Sequence, residues 1–131
     1  MVSKKLQPIL TPATIEEAVL MLYATLDREG EACIKDNPPE AVHHGGGTQM
    51  RNNWGLWKQD SPLKLDAVKT YGIAHADDIS GLITAWLWAR ERGEPFDPVA
   101  HCEVYKAHWK KHGISALDAG NFNEDGTPQL K

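Results

Sequence analysis

Two short stretches of the chain place polar side chains that could do chemistry directly beside aromatic residues and glycines. The first is Arg-Asn-Asn-Trp-Gly-Leu-Trp at residues 51–57, and the second is Gly-Ile-Ala-His-Ala-Asp-Asp-Ile-Ser at residues 72–80. An arginine can hold a phosphate or carboxylate through two parallel hydrogen bonds, and asparagines can read the donor and acceptor edge of a ligand. The candidate ligand-binding residues are therefore Arg51, Asn52, Asn53, Trp54, Trp57, His75 and Asp78.

The second stretch carries one imidazole and two carboxylates close together, at His75, Asp77 and Asp78. In an enzyme, His75 would be the general base, one aspartate its orienting partner or a metal ligand, and Arg51 the anion clamp. Two structural alternatives are open, and both are favoured over the enzymatic one. The aspartates can cap the first turn of a helix, or one of them can pair with Arg51 and tie two helices together.

The two tryptophans of the first stretch, Trp54 and Trp57, are three residues apart and would share one face of a helix. They could stack on a base or a sugar, but packing in the core against Trp86 is the favoured interpretation. Five tryptophans in a chain of 131 residues are enough to anchor a core and still line one pocket or interface.

Three histidines, His101, His108 and His112, lie on one stripe of the last expected helix together with Tyr105. The i, i+4 spacing of His108 and His112 can bind zinc. No acidic or cysteine ligand suits them in the nearby sequence, and the residues between them lack the glutamate of the zinc-protease motif. We therefore predict no metal and no cofactor, and the three histidines are only weak metal candidates.

The spacing of apolar residues predicts the helices that must position these side chains. Thr14, with Glu17 three residues later, forms a capping box at the start of a first helix. Helices are expected at about residues 15–27, 62–71, 75–92 and 98–113, with a short helix or an irregular connection at 28–37. No segment alternates like a strand. The prediction is an all-α, compact single-domain bundle of four to six helices over residues 1–113, followed by an irregular or flexible tail over 114–131.

A further helix can begin at Pro39, because proline suits the first position of a helix. It would have to run through Gly45-Gly46-Gly47, and each glycine costs about 1 kcal/mol relative to alanine in a helix interior. We expect the helix to break there, unless close backbone contact with another element compensates.

The composition narrows the choice of partners. The chain has 14 basic and 18 acidic residues and a net charge of −4, whereas nucleic acids and anionic membranes attract basic surfaces. Nucleic acid is therefore an unlikely partner. No apolar run approaches the length of a membrane span, so no membrane association is expected. Two cysteines without zinc spacing favour a reducing cytoplasm.

The two polar stretches resemble a family of small bacterial domains of unknown function. That family pairs an Arg-Asn-Asn-aromatic-Gly-Leu-Trp stretch with a downstream Gly-Ile-His-Pro-Asp-Asp-Met-Ser stretch. In this chain Ala76 stands where proline is usual and Ile79 where methionine is usual. The resemblance covers about residues 12–97. It implies an all-α domain of bacterial or phage type in which His75 caps a helix, and it implies no activity.

The favoured function is that of a small non-enzymatic protein that binds another protein or a small polar ligand. Its size and acidity are similar to those of phage-encoded inhibitors of bacterial defence and of accessory or immunity proteins. The alternative is a hydrolase or nucleotide-modifying enzyme that uses His75, Asp77, Asp78 and Arg51. A third interpretation is a homodimer built on the tryptophan-rich or histidine-striped face. An enzyme needs these side chains open in a concave pocket, whereas a staple needs them paired and buried.

Overall fold

The computed structural model describes residues 12–56 and 58–129, without the side chains of residues 44–49. This part of the chain is mostly helical and contains no strand, which confirms the all-α prediction. Five of its eight helical segments have seven residues or more. The compact bundle of four to six helices stays a prediction. The segments are α1 (Ile15–Thr25), α2 (Arg28–Asp36), α3 (Pro39–Asn53), α4 (Pro62–Asp66), a π-helical segment (Ala67–Tyr71), α5 (Ala76–Glu91), α6 (Pro98–Lys111) and α7 (Ala116–Ala119).

The predicted capping box begins α1. The Thr14 hydroxyl oxygen accepts a hydrogen bond from the Glu17 N–H at 3.1 Å, and the Glu17 carboxylate accepts one from the Ala13 N–H at 3.0 Å. Each side chain satisfies an N–H group that the first turn leaves without a helical partner. The helix ends at Thr25, about two residues before the predicted end.

Helix α5 lies at the centre of the packing. It contacts α1, α2, α3 and α6, and its contact with α3 is the most extensive of all. Ile79, Leu82 and Ile83 on this helix have no exposed surface. Burial of that many apolar side chains on one helix explains why the segment is apolar around much of its girth.

The predicted break of the third helix at Gly45-Gly46-Gly47 is wrong, because α3 runs without interruption from Pro39 to Asn53. The intrinsic cost of the three glycines is offset by tertiary packing, which supplies most of the stability of helices in proteins. The extensive contact between α3 and α5 is the packing concerned. An unbroken α3 brings residues at its two ends to the same neighbouring helix.

The segment after α6 packs against the body of the chain through α7 and the turns that follow it. Phe122 has no exposed surface and clusters with Val68 and Ala74. A Cβ atom at Gly120 would overlap the backbone of Ala74, so only glycine fits there. The Gln59 amide also donates to the Asn121 carbonyl at 2.7 Å. The division into a domain over residues 1–113 and a tail over 114–131 stays a prediction.

Within residues 12–56 and 58–129, none of the helices combines the length and the apolar character that crossing a bilayer requires.

Candidate functional site

The first polar stretch and the start of α5 meet at Ser80, which has no exposed surface. Arg51 Nη1 donates to Ser80 Oγ at 2.9 Å, and His43 Nε2 lies 2.6 Å from the same oxygen. Arg51 Nη1 is also 3.3 Å from His43 Nε2. Because a guanidinium only donates, this nitrogen of His43 acts as an acceptor, and the Ser80 hydroxyl donates a hydrogen bond to it. The three side chains thus join α3 to α5 through a partly buried network.

The Asp77 carboxylate extends this network towards solvent. Its Oδ1 atom lies 3.3 Å from Arg51 Nε, and the exposed fractions of the two side chains are 14% for Arg51 and 56% for Asp77. The Asp77 carbonyl oxygen is 3.2 Å from Ser80 Oγ, a longer contact than the one to His43. An ion pair with one partner half in water is worth little, because solvent screens it. The bond between Arg51 and Ser80 is the better-buried link between the helices.

His75 caps α5. Its Nδ1 atom accepts a hydrogen bond from the Asp77 N–H at 3.1 Å, which is the role that the family resemblance implies for it. Nδ1 thus acts as a hydrogen-bond acceptor, and Asp77 Oδ2 lies 3.9 Å from it, beyond hydrogen-bond distance. The aspartates lie in the first turn, where the helix dipole favours negative charge, but neither of their side chains makes the cap hydrogen bond.

Asp78 links α5 to α6. Its Oδ2 atom accepts a hydrogen bond from the Trp109 indole N–H at 2.8 Å, and the Trp109 ring lies 5.4 Å from the ring of His75. The Asp78 residue is only 8% exposed. Burial raises the pKa of its carboxyl above the ordinary value, while the indole hydrogen bond acts in the opposite direction.

A groove of about 410 Å³ lies between α3, α5 and α6, directly beside this network. We call it the α3–α5–α6 groove. On the α6 side, the Tyr105 hydroxyl and His101 Nε2 are 2.8 Å apart. Burial lowers the pKa of His101 and raises that of Tyr105, so both are neutral near pH 7. The groove is lined by Pro39, Glu40, His43, Asp77, Asp78, Gly81, Ala85, His101, Val104 and Tyr105.

The remaining residues of the first stretch do not join the network. Asn52 and Asn53 are exposed at the end of α3. Trp54 is 9% exposed and belongs to the main core, as the packing interpretation expects. Trp57 lies outside the described residues, so its predicted role is not addressed by the structure.

The histidine stripe of α6 divides into two parts. His101 bonds to Tyr105 at the groove, whereas His108 and His112 are exposed, with ring centroids 4.8 Å apart. In the part of the chain that the structure describes, no group of three or more histidine, cysteine, aspartate or glutamate side chains is arranged to hold a metal ion.

Two residues of the network, His43 and Ser80, were not among the predicted site residues. His43 stands eight residues before Arg51, little more than two helical turns, so an unbroken helix places both along α3. Because a break at the glycines was expected, the sequence did not predict that His43 and Arg51 lie on one continuous helix. Ser80 could only be placed as a first-turn polar residue, because its burial depends on the packing of α3 on α5.

Residues 11–90 match the family model of a domain of unknown function, DUF6794. No curated protein and no solved structure matches the chain. The matched residues include α1 to α4 and nearly all of α5, and thus the whole His43–Arg51–Ser80 network. They stop before α6, which supplies one wall of the groove. Because the match covers more than half of the 131 residues, the chain belongs to the DUF6794 family of domains of unknown function.

Proposed function

We propose that this chain is a small non-enzymatic helical binding protein that takes a polar group of a ligand or of a partner protein into the α3–α5–α6 groove. The observation that carries the proposal is a division of roles. His43, Arg51 and Ser80 bond to one another and join two helices, whereas the groove beside them is open. Its volume of about 410 Å³ lies within the usual range of ligand pockets, about 300–1,000 Å³.

The geometry gives less support to a hydrolase or nucleotide-modifying enzyme that uses His75, Asp77, Asp78 and Arg51. His75 directs Nδ1 to a backbone N–H group, and Asp77 faces Arg51. The short contact between Ser80 and His43 is similar to a nucleophile with its base. However, Ser80 has no exposed surface, so a substrate carbon cannot reach its oxygen without movement of the helices.

We also propose that the chain is of bacterial or phage origin and acts in the cytoplasm, as an inhibitor of a bacterial defence system or as an accessory or immunity protein. This part of the proposal rests on size, acidity and cysteine usage alone. A protein of this kind needs no catalytic centre, since occupying a partner's surface is sufficient for inhibition.

The test is to fill the groove. Ala85 lines it and Ala107 is an exposed residue of α6 away from it, so Ala85→Trp and Ala107→Trp add the same side chain inside and outside. Each tagged variant is purified gently from its expression host and studied by native mass spectrometry, together with the proteins that copurify with it. We expect a bound species on the original chain and on Ala107→Trp that is lost from Ala85→Trp. The same set of bound species on all three proteins, or no bound species on any, would overturn the proposal.

A further inference from the structure

We infer that the outer face of α6 is an interface between two copies of this chain, which pack against each other through antiparallel α6 helices. This contact is separate from the ligand of the groove and does not depend on it. Most of α6 lies outside the core. The structure describes every residue of this helix, and Cys102 is the only buried one among them. The outer face consists of exposed residues, namely Val99, Ala100, Glu103, Val104, Ala107, Lys110 and Lys111.

The middle of the outer face is apolar. Successive residues of a helix are about 100° apart, so Ala100 and Ala107 lie along the centre of the face, with Val99 and Val104 on either side. Val104 is 64% exposed and Val99 is 56% exposed, the highest values among the large apolar side chains that the structure describes. Small alanine side chains along the centre let a second helix approach closely. The outer face therefore offers an apolar stripe that a partner helix can cover.

The charges of this segment identify the partner. Between residues 94 and 103 the charged residues are all acidic: Glu94, Asp97 and Glu103. Between residues 104 and 117 the lysines and arginines stand without any acidic residue: Lys106, Lys110 and Lys111. This order suits the helix dipole, and it also makes α6 complementary to a reversed copy of itself. An antiparallel pair places the acidic half of each helix against the basic half of the other, whereas a parallel pair places like charges together.

Glu103 and Lys110 set the register of the two helices. They are seven residues apart, about two helical turns, so they lie on the same edge of the outer face. A twofold axis that crosses α6 beside Ala107 brings Glu103 of each copy opposite Lys110 of the other. Glu103 also contacts Lys106 of its own chain at 3.1 Å. That pair is exposed and contributes little, and a carboxylate has room for a second donor, so it does not prevent the contact between copies.

The expected dimer is a weak one. One helix face is smaller than a standard interface of about 800 Å² per partner, so we expect a Kd of about 10–100 µM. The contact lies beside the histidine stripe of α6, because His101 and Tyr105 are directed to the groove. Val104 belongs both to the outer face and to the groove wall, so the second copy would lie along the rim of the groove.

The experiment is sedimentation velocity of the full chain at pH 7 and low salt, over concentrations of about 1–500 µM. We expect a monomer–dimer equilibrium. Glu103→Lys and Lys110→Glu each place like charges together at both ends of the contact, and each should weaken the dimer by about tenfold or more. An equimolar mixture of the two variants restores opposite charges and should form a mixed dimer of the original affinity. Circular dichroism checks that both variants keep their helical content, since both side chains are exposed.

Two control variants make the same charge changes outside α6. Asp36→Lys and Lys35→Glu lie at the exposed end of α2 and should dimerise like the original chain. Ala107→Trp places a large ring beside the twofold axis and should weaken the dimer, while the groove, which Ala107 does not line, keeps its ligand. A monomer at every concentration, an unchanged dimer in Glu103→Lys or Ala107→Trp, or no recovery in the mixture would overturn the inference.

Discussion

Replacement of Arg51 by methionine tests whether its hydrogen bond to Ser80 or its ion pair with Asp77 joins α3 to α5. Methionine keeps an unbranched apolar stem but removes the guanidinium. The charged hydrogen bond from Arg51 to Ser80 is worth about 1.5–3 kcal/mol, because Ser80 is fully buried. The contact with Asp77 adds about 0–1 kcal/mol, since the Asp77 side chain is 56% exposed. We therefore expect Arg51→Met to lower the free energy of unfolding by about 1.5–4 kcal/mol.

The assay is urea unfolding at pH 7 followed by tryptophan fluorescence, with two comparison variants. Asp77→Asn should lower the free energy of unfolding by no more than about 1 kcal/mol, because Arg51 keeps its bond to Ser80. Arg28→Met changes an exposed arginine of α2 and should have an effect within about 0.5 kcal/mol. The test compares how much each variant lowers the free energy of unfolding. If Asp77→Asn were as damaging as Arg51→Met, the ion pair would be the link. If Arg51→Met lowered the free energy of unfolding by less than about 1 kcal/mol, Arg51 would be a ligand contact, and the network would not stabilise the packing of α3 against α5.

Three further predictions concern residues elsewhere in the fold and at the groove. Gly120→Ala should destabilise the chain by about 2 kcal/mol or more in thermal unfolding, because the added Cβ atom would overlap the Ala74 backbone. An unchanged melting temperature would show that the C-terminal segment does not pack against Ala74. Lys64→Met should stabilise the chain by about 1 kcal/mol at pH 7, because Lys64 is only 3% exposed and burial lowers its pKa, so the charged amine opposes folding until the pH rises towards 10.5. A loss of stability would mean that the contact of the amine with the Phe122 ring, at 5.9 Å, outweighs the cost of its burial. Burial raises the pKa of Asp78 above 3.8, so its cost to folding is full above the folded-state pKa and declines as the pH falls through it. Asp78→Asn should therefore have the higher melting temperature at pH 7, and this advantage should diminish towards pH 4; an equal difference at both values would exclude Asp78 as the cause.

The positions of most helices could be predicted from the sequence, because the signals are local. Thr14 caps α1, and a proline in the first helical position, after Ser61 or Asp97, begins α4 and α6. Ser61 shows the limit of this reasoning: it stands at the cap position of α4, but its hydroxyl donates to the Trp54 carbonyl at 3.0 Å instead of capping the helix. A cap can be inferred from residue type, whereas a competing tertiary partner cannot.

The site could be predicted only in part, for the same physical reason. Arg51 and the two aspartates could be selected as site residues from their charges. An ion pair between Arg51 and one of them, joining two helices, was one of the alternatives that the sequence left open. The continuation of α3 through three glycines depends on its packing against α5, which no local propensity reports. Without it, His43 could not be placed beside Arg51. Trp109 was expected only as part of the last helix, and its bond to Asp78 depends on how α6 crosses α5.

The polar residues where α3 meets the start of α5 separate into those that stabilise the fold and one that does not. Arg51 and Ser80 have complementary partners, and their loss should cost stability. Asp78 is also buried, yet burial raises its pKa, and the Trp109 indole is the one donor to its carboxylate among the described residues. Its indole partner, Trp109, belongs to α6, beyond the residues that match the family. The supporting network therefore lies wholly within the residues that match the family, whereas the groove is completed by a helix outside them.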